Sequence, residues 1–422
     1  MQYKKTTLKN GLRIITVPVK GTEAVTVMVL VSCGSDYEPK EINGLSHFLE
    51  HMCFQGTESR PLTGQISREL DSLGAQSNAF TGEEYTGYWA KAHKKNISKL
   101  IDIVSDIYLH PTISPDAMER EKGVVIEEMK MYEDMPHVKV GEVFEGLLYG
   151  DQPAGRPIIG NEKVVRGITR EQIVEYRKKH YVAKGTIVVV SGAFNEKKAI
   201  KEIENAFKGI SKSKKEGKEK TKESQKTPAV KVHTKETDQA HISLGFRTFP
   251  ISFADNVKIK VLEAVLGHGM SSRLFKRLRD EMGICYYVRS GNSTYLDRGY
   301  FSISSGLSKD RVEEGLSAIL EEVKRIKSEE VSKEELEKAK ELLVGNMYLS
   351  LETSDSYADF YAFQDLMGRK IKTPEEKEKE IRKVTAKDVL KMASKIFKNE
   401  TLNLAVVGPF KDEAKFKGFL KI

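Results

Sequence analysis

The stretch GLSHFLEHMCFQGT, residues 44–57, holds two imidazoles four positions apart, His47 and His51, with the Glu50 carboxylate directly before the second. On a helix, positions i and i+4 lie one turn apart on one face. Both rings can then grip one metal ion, while Glu50 projects from nearly the same stripe and reaches a water on that metal. Such a pattern points to a reaction centre. The plainer alternative for the same residues is a pair of satisfied histidines on a helix.

A catalytic site of this kind takes three protein ligands and keeps a position for water, whereas four protein ligands make a structural site. The spacing predicts a long helix over 115–135, opened by Ser114-Pro115 and stopped by Pro136. It offers Glu121, Glu127 and Glu128. Glu121 and Glu128 are seven positions apart and share a face, while Glu127 points about 100° away. A carboxylate pair on one face can supply a ligand and a partner that orients a ligating histidine. Without the histidines the same residues would read as an acidic surface stripe.

Around these helices the pattern falls into two similar halves. In the first, a hairpin over 3–18 and a β-rich run at 24–32 lead into the H-x-x-E-H helix. A second helix ends near Leu73-Gly74, strands cover 76–80 and 85–92, and an amphipathic helix spans 96–109. The second half shows a β-run at 240–246, helices over 255–265 and ending near Met282-Gly283, strands at 286–295 and 299–305, and a helix over 311–326. The shared order implies an internal duplication, one half carrying the motif and the other lacking it.

The chain of 422 residues, 39% hydrophobic and 31% charged, fits a globular protein of two or three domains. No apolar run approaches the roughly 20 residues of a membrane span, and residues 1–18 show no apolar core of an export signal. Cys33, Cys53 and Cys285 form neither a disulfide framework nor a C-x-x-C pair; a reducing, cytoplasmic setting is the expectation, with Cys53 packed as a small apolar residue. The net charge of +8 is concentrated at residues 208–226, where eight lysines meet three glutamates. That run has no aromatic residue to stack bases. It reads as a solvated linker, not a nucleic-acid surface, and divides the chain into 1–210, 211–227 and 228–422.

The residues 44–57, followed by Glu128 with 76 residues between it and His51, resemble the inverted-motif zinc peptidases of family M16. That group includes mitochondrial processing peptidase and insulin-degrading enzyme, and the resemblance extends over essentially the whole chain. It implies an α+β fold of two homologous α/β-sandwich repeats, each a mainly antiparallel sheet packed with helices, the LuxS/MPP-like metallohydrolase fold. It implies Zn2+ on His47, His51 and Glu128, Glu50 as general base toward the zinc-bound water, and Glu121 as the carboxylate behind a ligand. The segment DSLGAQSNAFTGEEYTGYWA (71–90) resembles the family's edge strand, which implies a substrate-binding role for Asn78, Ala79 and Phe80. In RDEMGICY (279–286), Arg279 and Tyr286 match the family's Arg-Tyr pair, implied to reach the substrate carbonyl.

The implied activity is zinc-dependent endoproteolysis of peptides or unfolded polypeptides inside a clam-shell chamber formed by a homodimer. The main competing reading is a non-catalytic or partner-dependent assembly subunit; such chains typically lose part of the motif, which is whole here. Another is S-ribosylhomocysteine lyase chemistry, with a cysteine as third ligand. The duplicated length and the spacing to Glu128 speak against that lyase, and Cys53 lies too near His51 to complete its site.

Overall fold

Alternating and β-branched segments become eleven strands in two sheets, seen in a computed structural model that describes residues 2–422. The strands are β1 (Lys4–Thr7), β2 (Arg13–Pro18), β3 (Ala24–Val31), β4 (Gln76–Thr81), β5 (Thr86–His93), β6 (Thr186–Gly192), β7 (Ala229–Thr234), β8 (Gln239–Arg247), β9 (Cys285–Thr294), β10 (Gly299–Ser308) and β11 (Leu402–Gly408). The first sheet runs β1-β2-β6-β3-β5-β4 and the second β7-β11-β8-β10-β9. In each sheet one pair is parallel (β2 with β6, β7 with β11) and every other pair is antiparallel. Leaving out β1, both sheets place their strands in the same order, the first beside the last, then the second, fourth and third. The duplication is therefore visible in topology, and the α+β fold of two helix-packed, mainly antiparallel sheets is as expected. Sequence periodicity had not singled out β6, β7 or β11.

The two units are not contiguous halves. One comprises Met1–Met129, Pro157–Glu219 and Leu349–Thr373; the other comprises Lys130–Arg156, Lys220–Tyr348 and Pro374–Ile422. The simple division into 1–210 and 228–422 thus misses an exchange of helices. The helix Pro136–Tyr149 buries Val140, Phe144 and Leu148, spaced at i, i+4 and i+8, against Ala405 and Val407 of β11. Conversely, the helix Ser354–Leu366 joins the first sheet, where Ser354 bonds Thr26 at 2.7 Å and Asp365 pairs with Arg13 at 2.9 Å. Pro136, read as a stop, is also the first residue of the next helix.

The lysine-rich run has no helix or strand and is largely exposed, as a linker should be, but it is anchored at several points that its composition does not show. In the first unit Lys218 is buried against Asp36 and Glu84. In the second, Glu223 pairs with Arg247 at 3.1 Å and Gln225 accepts from Asn403 at 2.9 Å. Composition does not register the carboxylates waiting elsewhere in the chain. Among the described residues, no helix is long and apolar enough to cross a membrane.

The motif helix, Leu45–Cys53, starts without a side-chain cap of its own. Gly44 holds the N-cap at φ +100°, where a Cβ would come within 2.6 Å of the Ile159 carbonyl oxygen. The backbone donors left over at a helix start are taken by Glu38, whose carboxylate accepts from Gly44 N at 2.7 Å, from Ser46 N, and from Asn43 Nδ2 at 3.2 Å. Glu38 is only 1% exposed, and burial pushes its carboxyl up from 4.5 to about 7 against those hydrogen bonds.

A carboxyl that holds its proton more tightly folded than unfolded contributes stability below its unfolded pKa, and that contribution fades as pH rises through the folded value. Urea midpoints of wild type and Glu38→Gln at about pH 5 and about pH 8 should therefore diverge, the wild type losing about 2 kcal/mol relative to the variant. A difference independent of pH would show that Glu38 is ionised throughout. Glu38→Ala should cost about 2 kcal/mol at about pH 5, by stranding the buried donors, and correspondingly less at about pH 8, where the wild type has lost its own advantage.

Candidate metal centre

The motif helix turns Leu45, Phe48, Leu49 and Met52 into the core, leaving His47, Glu50 and His51 half-buried on the other side. The two rings lie 4.7 Å apart between centroids, at 59° to one another. Against them stands the helix Pro115–Glu133, whose buried stripe includes Met118, Glu121, Val125 and Ile126. Glu128 Oε2 lies 3.6 Å from His47 Nε2 and 3.5 Å from His51 Nε2. Glu121 Oε1 lies 3.0 Å from the other nitrogen of His51, Nδ1. Glu127 is exposed, so of three carboxylates open at the sequence level, geometry picks out two and gives them different places.

The donors of His47, His51 and Glu128 all fall within 4.8 Å of one another, the one such group among the described residues. Ligand bonds of about 2.1 Å around a tetrahedral centre put donor atoms about 3.4 Å apart. The separations from Glu128 to each imidazole match that spacing, and two imidazoles with one carboxylate suit zinc.

The electrostatics separate two chemically identical rings. Burial, reinforced by the charge on His51 and offset by Glu128, lowers His47 to about 4, so it is neutral at physiological pH and able to ligate. His51 feels a burial penalty too, but hydrogen bonds to Glu121 and Glu128 and the charge of Glu50 outweigh it and raise the ring to about 9. The carboxylates thus focus at His51 a field that favours positive charge, which a divalent cation would also feel. Glu50 is raised by burial, against a hydrogen bond from Thr81 Oγ1 to its Oε2 at 2.7 Å and the attraction of His51.

Thr81 was missed by sequence reasoning. The signal was adjacency: it directly follows Asn78, Ala79 and Phe80 on β4, which is an edge strand with β5 as its only partner. Asn78 is exposed, while Ala79 and Phe80 are half-buried. Glu38 was missed as well, because a carboxylate several residues before a helix carries no spacing signature. Cys53 is packed as expected, fully buried with Sγ 3.5 Å from the Tyr88 hydroxyl, and burial pushes its thiol up to about 11.

In the second unit, Arg279 sits on a π-helical segment, Phe275–Glu281, and donates to the Tyr286 carbonyl. Its guanidinium lies 5.1 Å from the centroid of the Tyr286 ring, which is 73% exposed. The two residues therefore form a real pair with an accessible phenol.

The chain resembles known proteins over nearly its whole length. Residues 13–162 match the family model for insulinase, peptidase family M16, and residues 167–343 match the model for the peptidase M16 inactive domain. The chain is 33% identical to the uncharacterized zinc protease YmxG of Bacillus subtilis, covering 96% of this chain and 98% of that one. It is 32% identical to an uncharacterized zinc protease of Rickettsia bellii, covering 95% and 96%. Two crystal structures share the fold. A protease from Helicobacter pylori superposes with a TM-score of 0.89 at 23% identity, covering 97% of this chain and 99% of that one. A peptidase M16 inactive domain from Pseudomonas fluorescens gives 0.88 at 16% identity, covering 98% and 100%. By its sequence relatives at this level of identity over nearly their whole length, the chain belongs to peptidase family M16, the insulinase family.

Proposed function

We propose that this chain is a zinc-dependent endopeptidase that hydrolyses peptides or unfolded polypeptides. The observation that carries the proposal is the single Glu128 oxygen set at ligand spacing from two imidazole nitrogens, with Glu50 on the adjoining turn. His47, His51 and Glu128 would hold the ion, and Glu121 would orient His51 through Nδ1. Zinc bound there supplies Lewis-acid polarisation to the water and the scissile carbonyl. Glu50 takes the proton of the attacking water and returns it to the leaving amine; its raised carboxyl suits a group that must do both. Thr81 holds Glu50 in place for this. Asn78, Ala79 and Phe80, on an edge strand, offer backbone groups to an extended peptide. Arg279 and Tyr286 keep their role as donors to the substrate carbonyl.

A homodimer closing a clam-shell chamber, in a cytoplasmic setting, completes the reading. Near-full-length coverage of relatives named as zinc proteases supports a two-repeat unit as the working chain. The second repeat, matched by an inactive-domain model, fits a non-metal-bearing half.

Quenched fluorescent peptides and metal analysis test this together. Glu50→Gln should keep about one zinc per chain and lose roughly 1,000-fold or more in kcat. Turnover by Glu50→Gln at the wild-type rate would sink the assignment of the base. Zinc bound by both proteins with cleavage by neither would favour the partner-dependent subunit instead.

The two glutamates of the long helix should separate in a chelator competition. Glu128→Gln is expected to abolish stable zinc binding, whereas Glu121→Gln should weaken it by about 10- to 100-fold and leave it measurable. Equal losses in the two variants would erase the distinction between ligand and orienting partner.

A further inference from the structure

A second set of charged side chains lies buried in the first unit, away from the metal-ligand cluster. Lys218 Nζ is 2.8 Å from Asp36 Oδ2 and 2.9 Å from Glu84 Oε1, and the three side chains are 8%, 2% and 1% exposed. Burying three ionised groups is costly unless each is held in good geometry. A lysine taken from the middle of a lysine-rich run could have stayed in water at no such cost. Its placement asks for a reason.

The two carboxylates belong to segments that lead to the reaction centre. Asp36 precedes the motif helix, and Glu84 lies in the turn joining β4 to β5. These segments are pressed together along their backbones: Asp36 N donates to Glu83 O at 2.8 Å and Ser35 N to Gly82 O at 3.2 Å. The approach is so close that a Cβ on Gly34 would sit 2.1 Å from the Gly82 carbonyl oxygen. Gly82 N closes the turn on Tyr85 O at 2.8 Å. One residue before Gly82, Thr81 delivers its hydrogen bond to Glu50. On the turn's other flank, the Phe363 ring lies 4.8 Å from Tyr85 and 6.0 Å from Phe80, between centroids.

We propose that Lys218 is a positioning residue. It bolts the β4–β5 turn to the segment before the motif helix, and so holds Thr81 against Glu50. The proposal rests on the peptidase reading given above. Asp36 and Glu84 both pair with the Lys218 ammonium, so removing it takes away the charge that joins the two segments across the seam that the backbone bonds close. Phe363 packs beside the turn but carries no charge to replace the ammonium. The turn would then loosen, and Glu50 would lose the group that fixes its oxygen. A small misplacement of a proton-transferring group slows the chemical step more than it weakens binding.

The test uses the full chain loaded with zinc, comparing wild type, K218M, K218R, T81V and the K218M/T81V double variant. K218M should retain its zinc, lose about tenfold in kcat with KM changed less than about twofold, and show faster amide hydrogen exchange at residues 81–86. K218R, which keeps the charge, should recover most of the rate. T81V should lose a similar factor, and the double variant should lose no more than either single, since both cut one line of action. Additive losses, or wild-type exchange at 81–86 in K218M, would overturn the proposal. If K218M fails to fold, K218R and T81V still decide: wild-type kcat in T81V overturns it. If wild type cleaves nothing, the peptidase reading fails by itself, and exchange in K218M still shows whether the bolt exists.

Discussion

One carboxylate oxygen must stand at ligand distance from two imidazoles at once, and that requirement fixes the phase of two helices. The motif helix meets it by sinking Phe48 and Leu49 into the core on one side while His47 and His51 face the other. Its partner, Pro115–Glu133, meets it with a buried stripe that includes Glu121 itself. An acidic residue on a buried stripe is tolerable only when bonded, and the bond it makes is to His51. The same contact that satisfies Glu121 therefore turns the His51 ring so that its second nitrogen faces Glu128. A rotation of either helix by one residue, about 100°, would break both bonds together.

The second repeat shows what happens when that requirement lapses. After β8 comes the helix Asn256–Gly267, at the position in strand order that the motif helix holds after β3. It buries Ile259, Val261, Leu262, Val265 and Leu266 in one broad apolar stripe and carries no histidine. Where the first repeat spends a helix face on polar chemistry, the second spends it on core. The sheets beneath keep the same strand order. Conservation of backbone layout with exchange of one helix face is the expected outcome of duplication followed by loss of a site, since the layout is held by many small contacts and the site by few.

What was legible in the sequence follows the range of the interactions involved. The pairing of His47 with His51, and the shared face of Glu121 and Glu128, rest on helical periodicity, which is a local property. The edge strand 76–81 and its partner declared themselves by alternation. Glu38 and Thr81 were not legible, because each acts across a gap with no fixed spacing: a capping group from a preceding loop and a hydroxyl from a neighbouring strand. The run 208–226 is largely exposed, as its composition suggests, but the anchoring of Lys218 was hidden for a related reason. Its composition is that of a solvated chain, and only the positions of Asp36 and Glu84, more than a hundred residues earlier, make Lys218 a buried residue. Likewise β6 and β11, fully buried, lack the alternation that marks a half-exposed strand.

The exchanged helices are held by long-range contacts and set a limit on how far the two halves of the sequence are independent. Helix Ser354–Leu366 is tied to the first sheet by polar anchors: Asp365 takes both Arg13 and Lys5, across sequence separations of 352 and 360. Its side chain is 6% exposed, so without those cations it would be a buried, uncompensated charge. Helix Pro136–Tyr149 is held in the other unit by apolar packing at Val140, Phe144 and Leu148, supplemented by hydrogen bonds from Tyr300 to Glu145 at 2.7 Å and from Arg247 to the Leu148 carbonyl. Neither half of the sequence, cut at the lysine-rich run, contains all of its own unit. The first half would lack the helix covering β3 and β6, and the second would expose Ala405 and Val407 of β11. Closing loops of that length costs little more than closing loops half as long, so the exchange is inexpensive at equilibrium. Its consequence is that each sheet is completed only when both halves of the sequence are present.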